Sequence, residues 1–320
     1  MAAPSPEAVL RRVELQVGRR LDGLLQGERR GRRPGPGGDA TLTRAYQPGD
    51  DVRWVDWPLT ARLGEPMVRV PELEPVLTAW ALVDCSPSMA FGTRAQTKAA
   101  LAREVLTGLG VVMRRRGDRL GIVATRAGDL DLVRPPRADR RGLVAALAAL
   151  DALEAGAPSA RTDLVRAVTA LGRVARHRGV VAILSDLPLQ PGLERAIGAL
   201  GRLHDVIAIE VRDPRERSLP AMGAVRLRDL ETGRVHLVDT ADPRFQERFA
   251  RRVTATDRAR AEALARAGAR HVILETGADW VGPLALALRR PLHRRRPVSS
   301  SSAASSPLRG AGAGIGRPGR

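Results

Sequence analysis

A chain of 320 residues with 43% hydrophobic content is long enough for one large domain or two ordinary ones built on a real core. Of its formal net charge of +18, +8 lies in residues 289–320 and +4 in residues 1–38, which leaves +6 for the long middle. That distribution, with only 2% aromatic residues for base stacking, argues against a dedicated nucleic-acid reader.

In chain order, residues 4–26 have helical spacing, with Val9, Val13, Val17, Leu21 and Leu24 near one face. An Arg/Gly/Pro-rich loop runs from Gly27 to Gly38, and 41–75 reads as short strands and turns. Within it, Gln47-Pro48-Gly49-Asp50 has Pro and Gly where a type II turn wants them. From residue 75 strands and helices alternate. Strands are predicted at Val76–Asp84, Arg119–Thr125, Leu130–Val133, Val180–Leu184, Val206–Val211, Val235–Val238 and His271–Leu274. Helices are predicted at Ala95–Arg116, Asp139–Leu153, Thr162–Arg178, Gly192–Leu203 and Pro243–Ala267. This alternation predicts an α/β fold with a doubly wound, mostly parallel sheet, preceded by a small N-terminal helix and β-turn segment. The predicted division is 1–74, 75–290 and a disordered basic tail at 291–320, rich in Ser, Gly and Ala. Cys85 is the lone cysteine, the N-terminus carries Glu7, Arg11, Arg12 and Glu14, and no apolar run approaches the roughly eighteen residues of a membrane span. The expectation is a cytoplasmic protein.

The sharpest feature is Asp84-Cys85-Ser86-Pro87-Ser88, directly after a buried apolar strand. In open α/β sheets ligands bind beyond the C-terminal strand ends. Oxygen side chains at positions one, three and five can converge there, and hard oxygen donors suit Mg²⁺ or Mn²⁺ rather than zinc. Thr162, opening a helix, and Asp186, ending an apolar strand, supply further oxygens.

The arrangement resembles a von Willebrand factor A domain, whose metal-ion-dependent adhesion site uses DxSxS, a Thr and an Asp. By that likeness Ser86, Ser88 and Thr162 are direct Mg²⁺ ligands, and Asp84 and Asp186 act largely through waters. Upstream, Tyr46-Gln47-Pro48-Gly49-Asp50-Asp51-Val52-Arg53-Trp54-Val55-Asp56-Trp57, then Ala61-Arg62, resembles the signature of bacterial domain-of-unknown-function family fifty-eight, over roughly residues 25–290. Two departures are Pro58-Leu59-Thr60, where a small Ser-Ala pair is usual, and Arg161, where Gly is common. The resemblance implies work with a MoxR-type AAA+ ATPase and a client protein in maturation or assembly.

Each motif has a plainer reading. Ser86, Ser88 and Thr162 are also helix-capping residues, and Asp163 reads as an N-terminal helix charge rather than a ligand. For Tyr46–Arg62 the preferred reading is a buried network of Arg53 and Arg62 with Asp50, Asp51 or Asp56, the Trp rings packed on the sheet; the alternative is a partner surface or second active site. Cys85 reads as a small apolar residue. Lys98 is the only lysine, a bias that fits a GC-rich genome. Gly35-Pro36-Gly37-Gly38 lacks the Gly-Lys-Ser/Thr of a phosphate loop. No histidine lies near the three loops in sequence, so binding is favoured over catalysis. The alternatives are a basic nucleic-acid-binding protein and a Mg²⁺-dependent phosphohydrolase with Asp84 as nucleophile, which commonly wants a carboxylate where Ser86 stands.

Overall fold

A computed structural model describes residues 5–17, 42–70, 76–93, 96–154, 162–230 and 233–289. The expectations for Leu21 and Leu24, the 27–38 loop and the 291–320 tail lie outside these residues. Helix α1 covers 6–17. Strand β1 (Leu42–Ala45) pairs antiparallel with β2 (Met67–Val70), and helix α2 (Trp57–Leu63) lies between them in the chain. There follow β3 (Thr78–Asp84), α3 (Lys98–Arg116), β4 (Arg119–Thr125), β5 (Leu132–Arg137), α4 (Arg140–Glu154), α5 (Leu164–Val174), β6 (Gly179–Ser185), α6 (Leu193–Gly201) and β7 (His204–Arg212). The chain then forms β8 (Ala224–Arg228), β9 (Val235–Asp239), α7 (Pro243–Arg266), β10 (Arg270–Glu275) and α8 (Val281–Arg289).

Six strands form one sheet in the order β10-β7-β6-β3-β4-β5, parallel throughout except for β5. The central strands are apolar on both faces, as a sheet covered on both sides requires. On β3, Ala79, Ala81 and Val83 join a core with α1, α3, α4 and α8, whereas Trp80 and Leu82 join one with α5, α6 and α7. This is the doubly wound, mostly parallel architecture the alternation predicted. β5 contains Pro135 and Pro136 and sits at the sheet edge, where missing N–H donors cost least. Gly121 leaves room for the Trp80 ring, because a Cβ there would lie 2.5 Å from the indole.

Four features depart from the sequence reading. Val235–Val238 is a strand, but it pairs with β8 in a separate hairpin outside the main sheet. The helix expected over Thr162–Arg178 begins only at Leu164 and ends at Val174. Helix α1 is not set apart with the first 74 residues: Val9, Leu10, Val13 and Val17 are buried in the core beside α3. Arg12 and Trp280 both bond Glu104 of α3, and Arg114 bonds Glu14 at 2.9 Å.

The fourth concerns the Tyr46–Arg62 segment. Gln47–Asp50 makes the expected turn, with Gly49 at φ 108° and the Asp50 amide donating to the Gln47 carbonyl. The buried network does not form. Asp50 pairs with Arg44, Asp51 with Arg53 and Asp56 with Arg69, all on the surface, and Trp54 and Trp57 are 52% and 68% exposed. The preferred reading is therefore corrected: Asp50 and Asp51 take arginines close by in sequence, Asp56 takes Arg69 of β2, and the indoles stay exposed. Among the described residues no helix is long and apolar enough to cross a membrane.

Two measurements check this packing. Leu10→Ala, at a fully buried position, is expected to cost about 2–5 kcal/mol in one cooperative urea transition; an unchanged transition detaches α1 from the core. Iodide is expected to quench the emission of Trp54 and Trp57 while sparing the buried Trp80 and Trp280, and Trp54→Phe/Trp57→Phe to remove the quenchable fraction.

Candidate metal centre

The order of the strands reverses between β3 and β6: the chain leaves β3 for β4 on one side and returns through β6 on the other. Loops diverge at such a point and leave a crevice at the C-terminal strand ends. Asp84 ends β3 and Ser185 ends β6, so the two segments singled out in the sequence open side by side into it.

Asp84 is 1% exposed. One carboxylate oxygen accepts from the Ser86 amide at 2.9 Å, and the other accepts from the Ser185 hydroxyl at 2.6 Å. The Ser86 and Ser88 hydroxyls lie 3.0 Å apart, so alternate oxygens of the DxSxS run face one another. Ser86 precedes a 3-10 turn, Pro87–Ala90, yet its hydroxyl makes no capping bond. Thr162 is buried, and Asp163, not Thr162, caps α5 through the Arg166 amide. The capping alternative thus explains neither Ser86 nor Thr162.

The Thr162 loop is tied to the loop after β6 by Gln190, which donates to the Thr162 carbonyl at 2.5 Å and accepts from the Leu164 amide at 2.9 Å. Leu187, directly after Asp186, is buried and held at φ 50°, a backbone region that leucine seldom adopts. The Ser185 hydroxyl accepts from the Leu187 amide, and Arg260 donates to the Leu187 carbonyl at 2.8 Å. Burial, and then the charge of Asp186, push the Asp84 carboxyl up to about 6, against the hydrogen bonds from Ser185 and Ser86.

Asp84 makes no ion pair among the described residues. A buried carboxylate repelled by a second carboxylate and ringed by hydroxyls is a setting that a hard divalent cation suits. Ser86, Ser88 and Thr162, with Asp84 and Asp186, are the residues that would hold it. The described residues contain no cluster of three His, Cys, Asp or Glu side chains fit for a metal, because three of these five donors are hydroxyls.

Sequence reasoning missed Lys98. Its side chain is fully buried, and Nζ donates to Asp186 at 3.0 Å and to Glu216 at 2.6 Å. Burial opposes its charge, but the two carboxylates more than offset that and hold its pKa above the ordinary lysine value. The available signal was its uniqueness, one lysine among 53 basic residues. Asp213, also missed, directly follows β7 and is fully buried. It accepts from the Thr93 amide and hydroxyl, the Thr276 hydroxyl and the Arg215 amide, latching the loop after Ser88 to the ends of β7 and β10. Burial raises its pKa, and these bonds more than reverse that, lowering it to about 2. Burial also pushes the Cys85 thiol up, against any role as a thiolate nucleophile.

The doubly wound sheet, with Asp84 and the Ser86, Ser88 and Ser185 hydroxyls at its switch point, resembles the fold of a von Willebrand factor A domain. The chain belongs to the family described as protein of unknown function DUF58, whose model matches residues 42–260. It is 36% identical over 281 residues to the uncharacterized protein Rv1480 of Mycobacterium tuberculosis and to the uncharacterized protein Mb1516 of Mycobacterium bovis, in each case over 88% of both chains. Among solved structures it has distant similarity to the conserved hypothetical protein BatB from Bacteroides thetaiotaomicron, at 16% identity and TM-score 0.40, over 66% of this chain and 97% of that one. A von Willebrand factor type A protein from Catenulispora acidiphila matches at 19% identity and TM-score 0.31, over 43% and 33%.

The Asp213 latch has a pH signature. Its folded pKa lies below the unfolded value of about 3.9, so its stabilisation is present above about pH 4 and lost as the pH falls toward 2. Asp213→Ala is expected to lower stability by about 2 kcal/mol at neutral pH, with the gap to wild type closing between about pH 4 and 2. Urea unfolding across that range measures it, and a gap independent of pH excludes the carboxylate as its source.

Proposed function

We propose that the chain is a metal-dependent protein-binding module, in which Asp84, Ser86, Ser88, Thr162 and Asp186 hold Mg²⁺ or Mn²⁺ and a partner carboxylate completes the site. The observation that carries this reading is Asp84, buried at the switch point with hydroxyls and an amide as partners but no cation among the described residues. Bound there, the ion supplies a strong, directional Lewis-acid contact for an anionic oxygen. Neutral hydroxyls leave most of its charge uncompensated, which favours an acidic group from outside. Asp84 and Asp186 orient the hydroxyls and offset part of the charge, and Ser185 and Gln190 hold the loops in place.

The surroundings favour binding over turnover. Among the described residues no histidine is hydrogen-bonded to any of the five, the neighbouring thiol is held protonated, and the position two after Asp84 is a serine. A phosphohydrolase therefore lacks its second carboxylate and its base. The family resemblance suggests the partners: a MoxR-type AAA+ ATPase and a client protein, met in the cytoplasm.

The test pairs metal binding with partner capture. Calorimetry is expected to give a saturable Mg²⁺ heat with the full chain and none with Asp84→Ala, folding being checked by circular dichroism. Capture of a co-expressed MoxR-type ATPase is expected to fall at least about tenfold with EDTA or with that variant, a loss of about 1.4 kcal/mol or more. Capture indifferent to both refutes the metal-dependent reading.

A further inference from the structure

A cleft of about 370 Å³ opens beside the candidate metal centre, between the loop after β6, the end of β7, the 3-10 turn at Pro214–Glu216 and helix α7. Asp186 belongs to both: it faces Asp84 electrostatically and also lines the cleft. Lys98 reinforces the link, since one ammonium holds Asp186 and Glu216, the carboxylate on the cleft's turn.

The charges of this wall can be paired off. Four carboxylates line it: Asp186, Glu210, Glu216 and Asp257. Lys98 holds the first and third. Glu210, 1% exposed, is held by Arg212 and Arg260, and Asp257 by Arg212, Arg217 and Arg260. One lining cation is left over. Arg252 is exposed on α7 and makes no ion pair or hydrogen bond among the described residues. One anion is left over too, Asp84, next door. With Asp84 included, five carboxylates face five cations and the region is neutral.

A divalent cation at Asp84 and Asp186 unbalances that count by two positive charges that no other charge lining the cleft among the described residues offsets. They lie in two places, at the metal and at Arg252, with the cleft between them. Wall charges that are already paired resist further titration by a ligand, so the recognition falls to those two ends. We propose that this cleft is the second half of the partner site and takes an acidic peptide segment, one carboxylate at the metal and another at Arg252. The proposal rests on the metal-binding reading above and adds the class of ligand. It also makes peptide affinity conditional on the metal: the neutral wall attracts little, and the loaded one attracts an anion.

The experiment uses the full chain and a fluorescein-labelled deca-glutamate peptide, read by anisotropy at about 0.15 M salt with and without Mg²⁺, with deca-glutamine as control. Mg²⁺ is expected to tighten deca-glutamate binding and leave deca-glutamine unaffected. Arg252→Glu is expected to weaken the Mg²⁺-dependent binding about tenfold and leave the Mg²⁺ heat in calorimetry unchanged. Arg248→Glu makes the same charge change on the same helix outside the cleft and is expected to have less than about a third of that effect. Equal losses in the two variants overturn the cleft as a site, since they mark general attraction to a basic chain. If Mg²⁺ binds but peptide affinity ignores it, the cleft proposal fails and the metal centre stands; if Mg²⁺ does not bind at all, the metal reading fails first and takes this one with it.

Discussion

The site depends on one electrostatic fact: a carboxylate is buried at the point where the sheet reverses direction, and no cation among the described residues pairs with it. Burial of a charge is tolerated when hydrogen bonds replace water and a countercharge is near. Asp84 has the first in the Ser86 amide and the Ser185 hydroxyl, and Asp186 gives it the opposite of the second. The rest of the crevice follows from this deficit. Hydroxyls can neither neutralise Asp84 nor compete with it, so they leave a charge whose chemistry suits a hard cation.

Holding that deficit open is the task of residues remote in sequence. Leu187, directly after Asp186, keeps an unfavourable backbone, and Arg260, 73 residues on, fastens it through the Leu187 carbonyl. Gln190 draws the Thr162 loop to the same edge, and Asp213 clamps the loop that follows Ser88. Asp186 repels Asp84 electrostatically, and these hydrogen bonds hold the loops that carry them. A rim assembled against its own charge is pre-organised, since the cost of gathering the donors is met by the fold before any ligand arrives.

Much of this was legible in the sequence, for identifiable reasons. β3, β4, β6 and β7 announce themselves because a strand covered on both faces has no polar alternation, and the polar residues at their ends mark the rim. The spacing of Asp84, Ser86 and Ser88 carries over because the contacts within the run are local. What depended on pairing over distance was not legible. Val235–Asp239 has a strand composition, but nothing in it says that its partner is Ala224–Arg228 rather than the main sheet. The indoles of Trp54 and Trp57 suggested burial by type alone, yet Asp51 found Arg53 two residues on and Asp56 found Arg69 on β2, both pairs at the surface. Lys98 reads as an ordinary polar residue in the first turn of a helix until its two acceptors, 88 and 118 residues away, are placed.

That lysine bears on what kind of site this is. The chain uses arginine at 52 of its 53 basic positions, so whatever drives that bias was resisted at residue 98. Position is no reason in itself, because a cation in the first turn of α3 lies at the wrong end of the helix dipole. The chemistry of the head group is. A guanidinium is planar and wide, with five donors to satisfy, whereas an ammonium is a compact point charge on a flexible stem that can sit between two carboxylates. At full burial, between Asp186 and Glu216, there is work for a point charge and none for a fork. The same ammonium joins the cleft to the candidate metal centre, since it holds Asp186 and Glu216 together.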